Sequence, residues 1–342
     1  MARDIGSKDR DRFRRLMSAR SWTAIGDRAF TYSKQQTDFV PALADWVECQ
    51  AITRTSVGCD KATLMSALKI GTWDPPKDDI DISHDQLAEE VFGELAQRST
   101  DYNGHGYPFK CNEAGRSIVF EDSSPWPYVF LLGLSYTNPK VRPPKQGIAT
   151  GGHILESLAW VGMQRLVGSP TADLVDSAHC HHLGRPSVSS LPAYFYKKVD
   201  IIAKQFKEGS EYKPQAHNHY QRSGDGGVDI LLRRGFRDSR GAQFLLFGAC
   251  AGGEDWRTTK SYECDPDKWL KKHFKGGFRG PKGMARCYFV SRQIAIDDWE
   301  DTATAAGMIV DRCRLSSLAH GSQSPYLGVA RQWTEAFFGQ AF

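Results

Sequence analysis

Residues 223–256 read SGDGGVDILLRRGFRDSRGAQFLLFGACAGGEDW, and this stretch decides the fold. Two apolar runs, 228–234 and 242–251, flank a turn that is rich in glycine and arginine. Apolar runs of this length that are bounded by turn residues are typical of strands, and the short turn predicts a hairpin. Asp229 lies inside the first run, where a carboxylate without a partner would be costly. The stretch therefore predicts a hairpin that carries either a functional carboxylate or one that caps a turn.

The segments around this hairpin alternate between helical and extended patterns. Helices are predicted at 152–168, 190–208 and 265–275, a strand at 285–291, and a strand leading into a helix at 305–319. This order predicts an α/β fold with a mixed sheet flanked by helices.

The residues before position 150 predict a separate α+β region. Helices are expected at 37–52 and 83–99, the second with Ser83 as its cap and Gln86 three residues later. Strands are expected at 116–122 and 127–136. The prolines and glycines of 137–152 predict a linker. We therefore expect an N-terminal domain at 1–140 that recognises substrate or a partner protein, a linker at 141–150, and a second domain at 151–342.

Composition narrows the possible classes of protein. The chain has 342 residues and a net charge of +4, which is compatible with a polyanionic partner such as DNA but does not require one. No apolar run approaches the ~18 residues that a membrane span needs. The eight cysteines are spread along the chain without a CxxC pair. They favour reduced thiols and a cytoplasmic location over a disulfide framework.

Metal-assisted cleavage of a phosphodiester requires three kinds of group. Carboxylates hold the ion, a further group orients the attacking water, and a cation offsets the charge of the transition state. A hairpin can supply a carboxylate from one strand and two groups from the next, because residues two apart on a strand share a face. Mg²⁺ takes such oxygen ligands.

The stretches GDGGVDILL and QFLLFGACA, with HILESL on the preceding helix, resemble the PD-(D/E)XK nucleases, and the Mrr-type restriction endonucleases in particular. The closing stretch GMIVDRCRLSSLA resembles the terminal strand and helix of that branch. The resemblance covers residues 150–320. It implies a restriction-endonuclease-like fold, a role in defence against foreign DNA, and Mg²⁺ or Mn²⁺ bound by Glu156 and Asp229.

The sequence departs from the family pattern at the second strand. Ala249 and Ala251 stand where the resemblance implies a glutamine or glutamate and a lysine. Alanine offers neither a metal ligand nor a cation. Lys260 is the first candidate to replace the lysine, with Arg257 and Lys271 as weaker ones, and Glu254 or Asp255 can replace the carboxylate. A disabled active site, natural or engineered, is the other explanation.

Two further features bear on ligands. The tract HCHH at 179–182 contains zinc-ligand types but needs a second pair, such as His217 and His219, so a loop of histidines near phosphate is the favoured interpretation. Basic residues around the hairpin turn and in 268–282 fit a nucleic-acid groove, although solvated surface charge explains them too. The candidates are Arg233, Arg234, Arg237, Lys271, Lys272, Arg279 and Lys282.

The sequence thus predicts a metal-dependent DNA endonuclease. The alternative is a protein of the same fold that does not cleave and serves as a DNA-binding or assembly subunit of a defence complex.

Overall fold

The computed structural model describes residues 39–53, 58–70, 83–112, 114–121, 126–136, 149–168, 178–184, 191–206, 227–235, 243–253, 256–257, 264–275, 284–322 and 324–338. Helices and strands alternate through the second half of the chain, which is the mixed α/β pattern that the sequence predicts.

The region before residue 137 contains four helices and a small sheet in its described part. The helices are α1 (Phe39–Thr53), α2 (Lys61–Ile70), α3 (His84–Tyr102) and α4 (Trp126–Ser135), and the strands are β1 (Cys59–Asp60), β2 (Phe109–Cys111) and β3 (Ser117–Phe120). The strands form an antiparallel sheet in the order β1-β3-β2. The predicted cap of α3 is confirmed: the Ser83 hydroxyl accepts from the Gln86 amide, and the Gln86 side chain accepts from the Ser83 amide.

The prediction of a strand at 127–136 is wrong, because the helix α4 occupies Trp126–Ser135. All residues from Pro127 to Ser135 are buried, and α4 packs against helices on several sides. A helix that is buried all round has no polar face, so its sequence lacks the 3.6-residue periodicity that would distinguish it from a strand.

The remaining elements form a five-stranded sheet with helices on both faces. They are α5 (Gly151–Leu166), β4 (Ala178–His182), α6 (Phe195–Phe206), β5 (Ile230–Arg234), β6 (Phe244–Ala251), α7 (Pro266–His273), β7 (Ala285–Val290), α8 (Trp299–Ala306), β8 (Met308–Val310), α9 (Arg312–Ala319) and α10 (Pro325–Phe338). The sheet order is β4-β5-β6-β7-β8. β4, β5 and β6 pair antiparallel, whereas β6, β7 and β8 pair parallel, so the sheet is mixed as predicted.

Each face of the sheet has its own apolar core. Ile230, Leu232 and Leu246 pack into a first cluster that includes the buried residues of α5. Leu231 and Phe247, which alternate with them, pack into a second cluster with α6 and α7. Because successive side chains of a strand point to opposite faces, the first face belongs to α5 and the second to α6 and α7.

The first core also contains buried residues of α1, α3 and α4, so it extends from Leu43 to Trp333. The predicted linker at 141–150 lies mostly outside the described residues, and the domain boundary there stays a prediction.

A buried ionic network joins the N-terminal helices to α9. Arg312 donates to Asp45, and Arg98 donates to both Asp45 and Glu48 at 2.9 Å. The hydroxyls of Tyr107 and Tyr128 donate to Glu48 at 2.9 and 2.8 Å. Burial raises the pKa of Glu48, while the two arginines oppose that effect. The network ties α9, which follows the last strand of the sheet, to helices α1 and α3.

Candidate metal centre

One cluster of potential metal ligands occurs within the described ranges. It consists of His153, Glu156 and His182, whose ligand atoms all lie within 4.8 Å of one another. Two come from α5 and one from β4, so the cluster joins a helix to the edge of the large sheet.

Local structure explains why these side chains meet. Thr150 caps α5 by accepting from the His153 amide at 3.3 Å, which fixes the first turn of the helix. Glu156 follows His153 by three residues, so both side chains lie on one face of the helix. His182 pairs with Ile230 on β5, and Ile230 packs into the first core, where α5 lies. His182 therefore belongs to the side of the sheet that α5 covers.

The three side chains are in close contact. Nε2 of His182 and Oε2 of Glu156 are 2.6 Å apart, and the rings of His153 and His182 are centred 5.5 Å apart. His182 is fully buried, whereas 23% of the Glu156 side chain is exposed. Burial lowers the pKa of His153, and His182 adds to this while Glu156 opposes it. A lowered pKa keeps the imidazole neutral, which is the form that binds metal.

Two observations test whether this cluster fits an ion. Nδ1 of His153 is buried and has no hydrogen-bond partner among the described residues. Beside the cluster, a Cβ added to Gly184 would lie 2.1 Å from Oε2 of Glu156 and 2.5 Å from Nε2 of His182. Gly184 therefore approaches both ligand atoms so closely that only a residue without a side chain leaves them in place. The residues present fit a divalent ion.

The contact between Glu156 and His182 must lengthen for both to bind one ion. Two ligands at about 2.0–2.2 Å from a shared ion lie about 2.8–3.6 Å apart in octahedral or tetrahedral geometry. The contact measures 2.6 Å, so a shift of less than about 1 Å is enough. Glu156 can make that shift because its carboxylate ends a flexible, partly exposed side chain.

Asp229, the second expected metal ligand, is not part of this cluster. Its carboxylate accepts from the amide of Cys250 at 2.6 Å, and its own amide donates to the carbonyl of Gly248 at 2.9 Å. Its side chain thus bonds across to the main chain of β6 at the end of the hairpin. The structure brings Glu156 together with two histidines instead of with Asp229.

Ala249 and Ala251 lie on the face opposite to that of Glu156. Both are buried in the second core, next to α6 and α7. In the same strand, Gly248 faces α5 so closely that a Cβ there would lie 2.5 Å from Met163. A glutamine or lysine at 249 or 251 would therefore point into an apolar core and away from Glu156. The resemblance to the family pattern implies instead that these side chains share a site with Glu156.

The candidates to replace the missing lysine and the missing carboxylate divide into two groups. Lys260, Glu254 and Asp255 lie outside the described residues. Arg257 is described and forms an ion pair with Asp298 at 2.5 Å.

The residues predicted to contact nucleic acid fall into three groups: one is buried, three are exposed, and three lie outside the described residues. Arg233 is buried and donates to the Gln243 side chain and to the carbonyl of Gln205, so it serves packing and not an exposed surface. This corrects its assignment to a groove. Arg234 is exposed and donates to the carbonyl of Val167, and Lys271 and Lys272 are exposed on α7. The other three, Arg237, Arg279 and Lys282, lie outside the described residues.

The HCHH tract is part of strand β4 and not of a loop, which corrects the sequence interpretation. His181 stacks on Phe206 of α6, with ring centres 5.7 Å apart, while His182 joins the cluster. His217 and His219 lie outside the described residues. Sequence reasoning missed His153, although its position three residues before Glu156 on a predicted helix was a usable signal.

No helix of the described residues is long and apolar enough to cross a membrane. No protein-family model matches the sequence, and comparison with curated proteins and with solved structures gives no match.

Proposed function

We propose that this chain is a metal-dependent DNA endonuclease whose divalent ion is held by His153, Glu156 and His182. The observation that supports the proposal is that the ligand atoms of these three side chains lie within 4.8 Å of one another, beside a glycine whose missing side chain leaves them room. Three protein ligands that include two histidines and one glutamate are a known arrangement of catalytic zinc, because a coordination position is left for a water or a substrate.

The donor set favours a particular class of ion. Imidazole suits Zn²⁺ and related transition metals, whereas Mg²⁺ prefers oxygen ligands. We therefore propose Zn²⁺ or Mn²⁺ in preference to Mg²⁺, whereas the family resemblance implies Mg²⁺ or Mn²⁺. Such an ion supplies Lewis acidity toward a phosphate oxygen. The chain itself supplies the wall of the site, the neutral His153 and the orientation of His182 on a paired strand.

DNA as substrate rests on two lines of support. The second half of the chain has the order helix, hairpin, helix and strand. This order agrees with the resemblance of GDGGVDILL and HILESL to the PD-(D/E)XK nucleases. Exposed basic residues that suit phosphate contacts are present at Arg234, Lys271 and Lys272. A role in bacterial defence against foreign DNA follows from the resemblance, and we propose it on that basis.

A second candidate is a protein that binds DNA or a partner in a defence complex but does not cleave. The burial of Ala249 and Ala251 in an apolar core favours it, because these two positions supply neither an acceptor nor a cation.

Plasmid cleavage with Zn²⁺, Mn²⁺ and Mg²⁺ in separate reactions separates the two. We expect cleavage with Zn²⁺ or Mn²⁺ that is lost in His182→Ala and retained in Asp229→Asn, since asparagine keeps an oxygen acceptor for Cys250. Cleavage that is lost in Asp229→Asn but retained in His182→Ala would show instead that Glu156 and Asp229 hold the ion, as the resemblance implies. DNA binding that weakens with salt, without cleavage under any metal, would favour the second candidate.

A further inference from the structure

A buried lysine supports the segment that borders the candidate metal centre. Lys198 of α6 is 1% exposed, and its ammonium donates to the carbonyls of Leu183 and Gly184, the latter at 3.1 Å. Burial of an ammonium group costs several kcal/mol unless its donors are satisfied. These two carbonyls belong to the residues that directly follow His182. Lys198 therefore acts on the main chain that borders the cluster.

The geometry of a trans peptide determines what this contact does. The carbonyl and the amide of one peptide unit point in opposite directions, so the Leu183 carbonyl directed at Lys198 turns the Gly184 N–H away from it. α6 packs on the second face of the sheet, whereas Glu156 and His182 lie on the first. The Gly184 N–H is thus turned away from Lys198 and α6.

This amide belongs to a buried residue, and no described residue accepts a hydrogen bond from it. Buried main-chain N–H groups without a partner are rare in folded proteins. The adjacent ammonium polarises the same peptide unit and makes its N–H a stronger donor toward a negative charge. The glycine keeps the space next to Glu156 open, because any Cβ at this position would lie 2.1 Å from that carboxylate.

We propose that the Gly184 amide is an oxyanion-binding donor for a phosphoryl oxygen at the candidate metal centre, with Lys198 as the positioning residue that orients and polarises it. The inference rests on the proposed function, because the metal centre would place the phosphoryl group within reach. A preorganised main-chain donor beside a Lewis acid is the arrangement that stabilises charge developing on a phosphoryl oxygen.

Selective labelling tests the donor on the unaltered protein. Leucine labelled with ¹³C at the carbonyl and glycine labelled with ¹⁵N leave three Leu–Gly peptide signals, at 132–133, 183–184 and 327–328. Inorganic phosphate is titrated into Zn²⁺-loaded and metal-free protein, and a short DNA duplex is added in a separate series. We expect the Gly184 amide proton to move downfield with phosphate in the loaded protein, while the signals of Gly133 and Gly328 stay in place.

The variant Lys198→Met tests the positioning residue, with Lys204→Met on the exposed surface of the same helix as its control. We expect Lys198→Met to bind Zn²⁺ but to bind phosphate about tenfold more weakly, and Lys204→Met to match the wild type. A Gly184 signal that does not move while Zn²⁺ binds overturns this inference alone. Absence of Zn²⁺ binding overturns the proposed function, and a Gly184 shift without metal would then support the anion site by itself. A shift with DNA but not with phosphate assigns the site to the nucleic-acid backbone.

Discussion

The substitution Gly184→Ala should prevent metal binding without removing any ligand. Its methyl group would lie 2.1 Å from Oε2 of Glu156 and 2.5 Å from Nε2 of His182, so it would displace two of the three ligand atoms. Glu156 can turn toward solvent because it ends a flexible side chain that is 23% exposed, whereas the buried ring of His182 has to shift, so some loss of stability is expected without metal. The substitution therefore separates the placement of the ligand atoms from the identity of the ligands.

The expected size of the effect follows from linkage. An ion present at 100 times its dissociation constant stabilises the folded state by about 2.7 kcal/mol. Unfolding entropy of about 2.1 cal/mol/K per residue, over the 342 residues, converts this into a rise in Tm of about 4 °C. We expect that rise in the wild type and a rise of less than about 1 °C in Gly184→Ala.

Thermal unfolding with and without Zn²⁺ measures both values. Gly328→Ala is the matched control, because a Cβ added there in helix α10 meets no atom within 4 Å. This control should retain the full Zn²⁺-dependent rise. If Gly184→Ala shows the same rise in Tm as the control, the ion is not bound by Glu156 and His182 beside Gly184, and the reasoning fails.

Three other substitutions test the account of the fold. Arg312→Met leaves the buried carboxylate of Asp45 with Arg98 as its remaining ion-pair partner, and we expect denaturant unfolding to show a loss of about 1.5–3 kcal/mol. Ala249→Gln forces a polar side chain into the second core, so its free energy of unfolding should fall by about 1–3 kcal/mol in the same assay. The substitution should not increase plasmid cleavage. A gain of cleavage would show instead that glutamine at this position completes the site, as the family pattern implies. Burial, with help from a neighbouring lysine, lowers the pKa of His273 to about 4 from its usual 6.5. As the pH falls, His273 is protonated in the unfolded chain before it is protonated in the folded chain. The stability that neutral His273 contributes is therefore complete above pH 6.5 and is lost as the pH falls to 4. The slope of unfolding free energy against pH in that window should flatten in His273→Phe but not in His320→Phe, where the histidine is exposed.

The elements with a local signal could be predicted from the sequence. The hairpin of β5 and β6 follows from two apolar runs bounded by turn residues, helix α3 from its capping residues, and the mixed sheet from the order of the elements. Helix α4 could not be predicted, because its burial on all sides depends on helices distant in the chain.

The site was predictable only in part. Glu156 was found, but its partners depend on the register of β4 against β5, which places His182 opposite Ile230. Register is set by long-range pairing, and a shift by one residue would exchange His181 and His182 between the two faces. The face on which Ala249 lies depends on pairing in the same way.

Diffraction from a crystal grown with Zn²⁺, recorded at the zinc absorption edge, tests the central claim most directly. We predict one anomalous peak about 2.0–2.2 Å from ligand atoms of His153, Glu156 and His182, beside Gly184. A zinc peak on the Asp229 carboxylate, or no peak at these three residues at saturating Zn²⁺, would contradict the account.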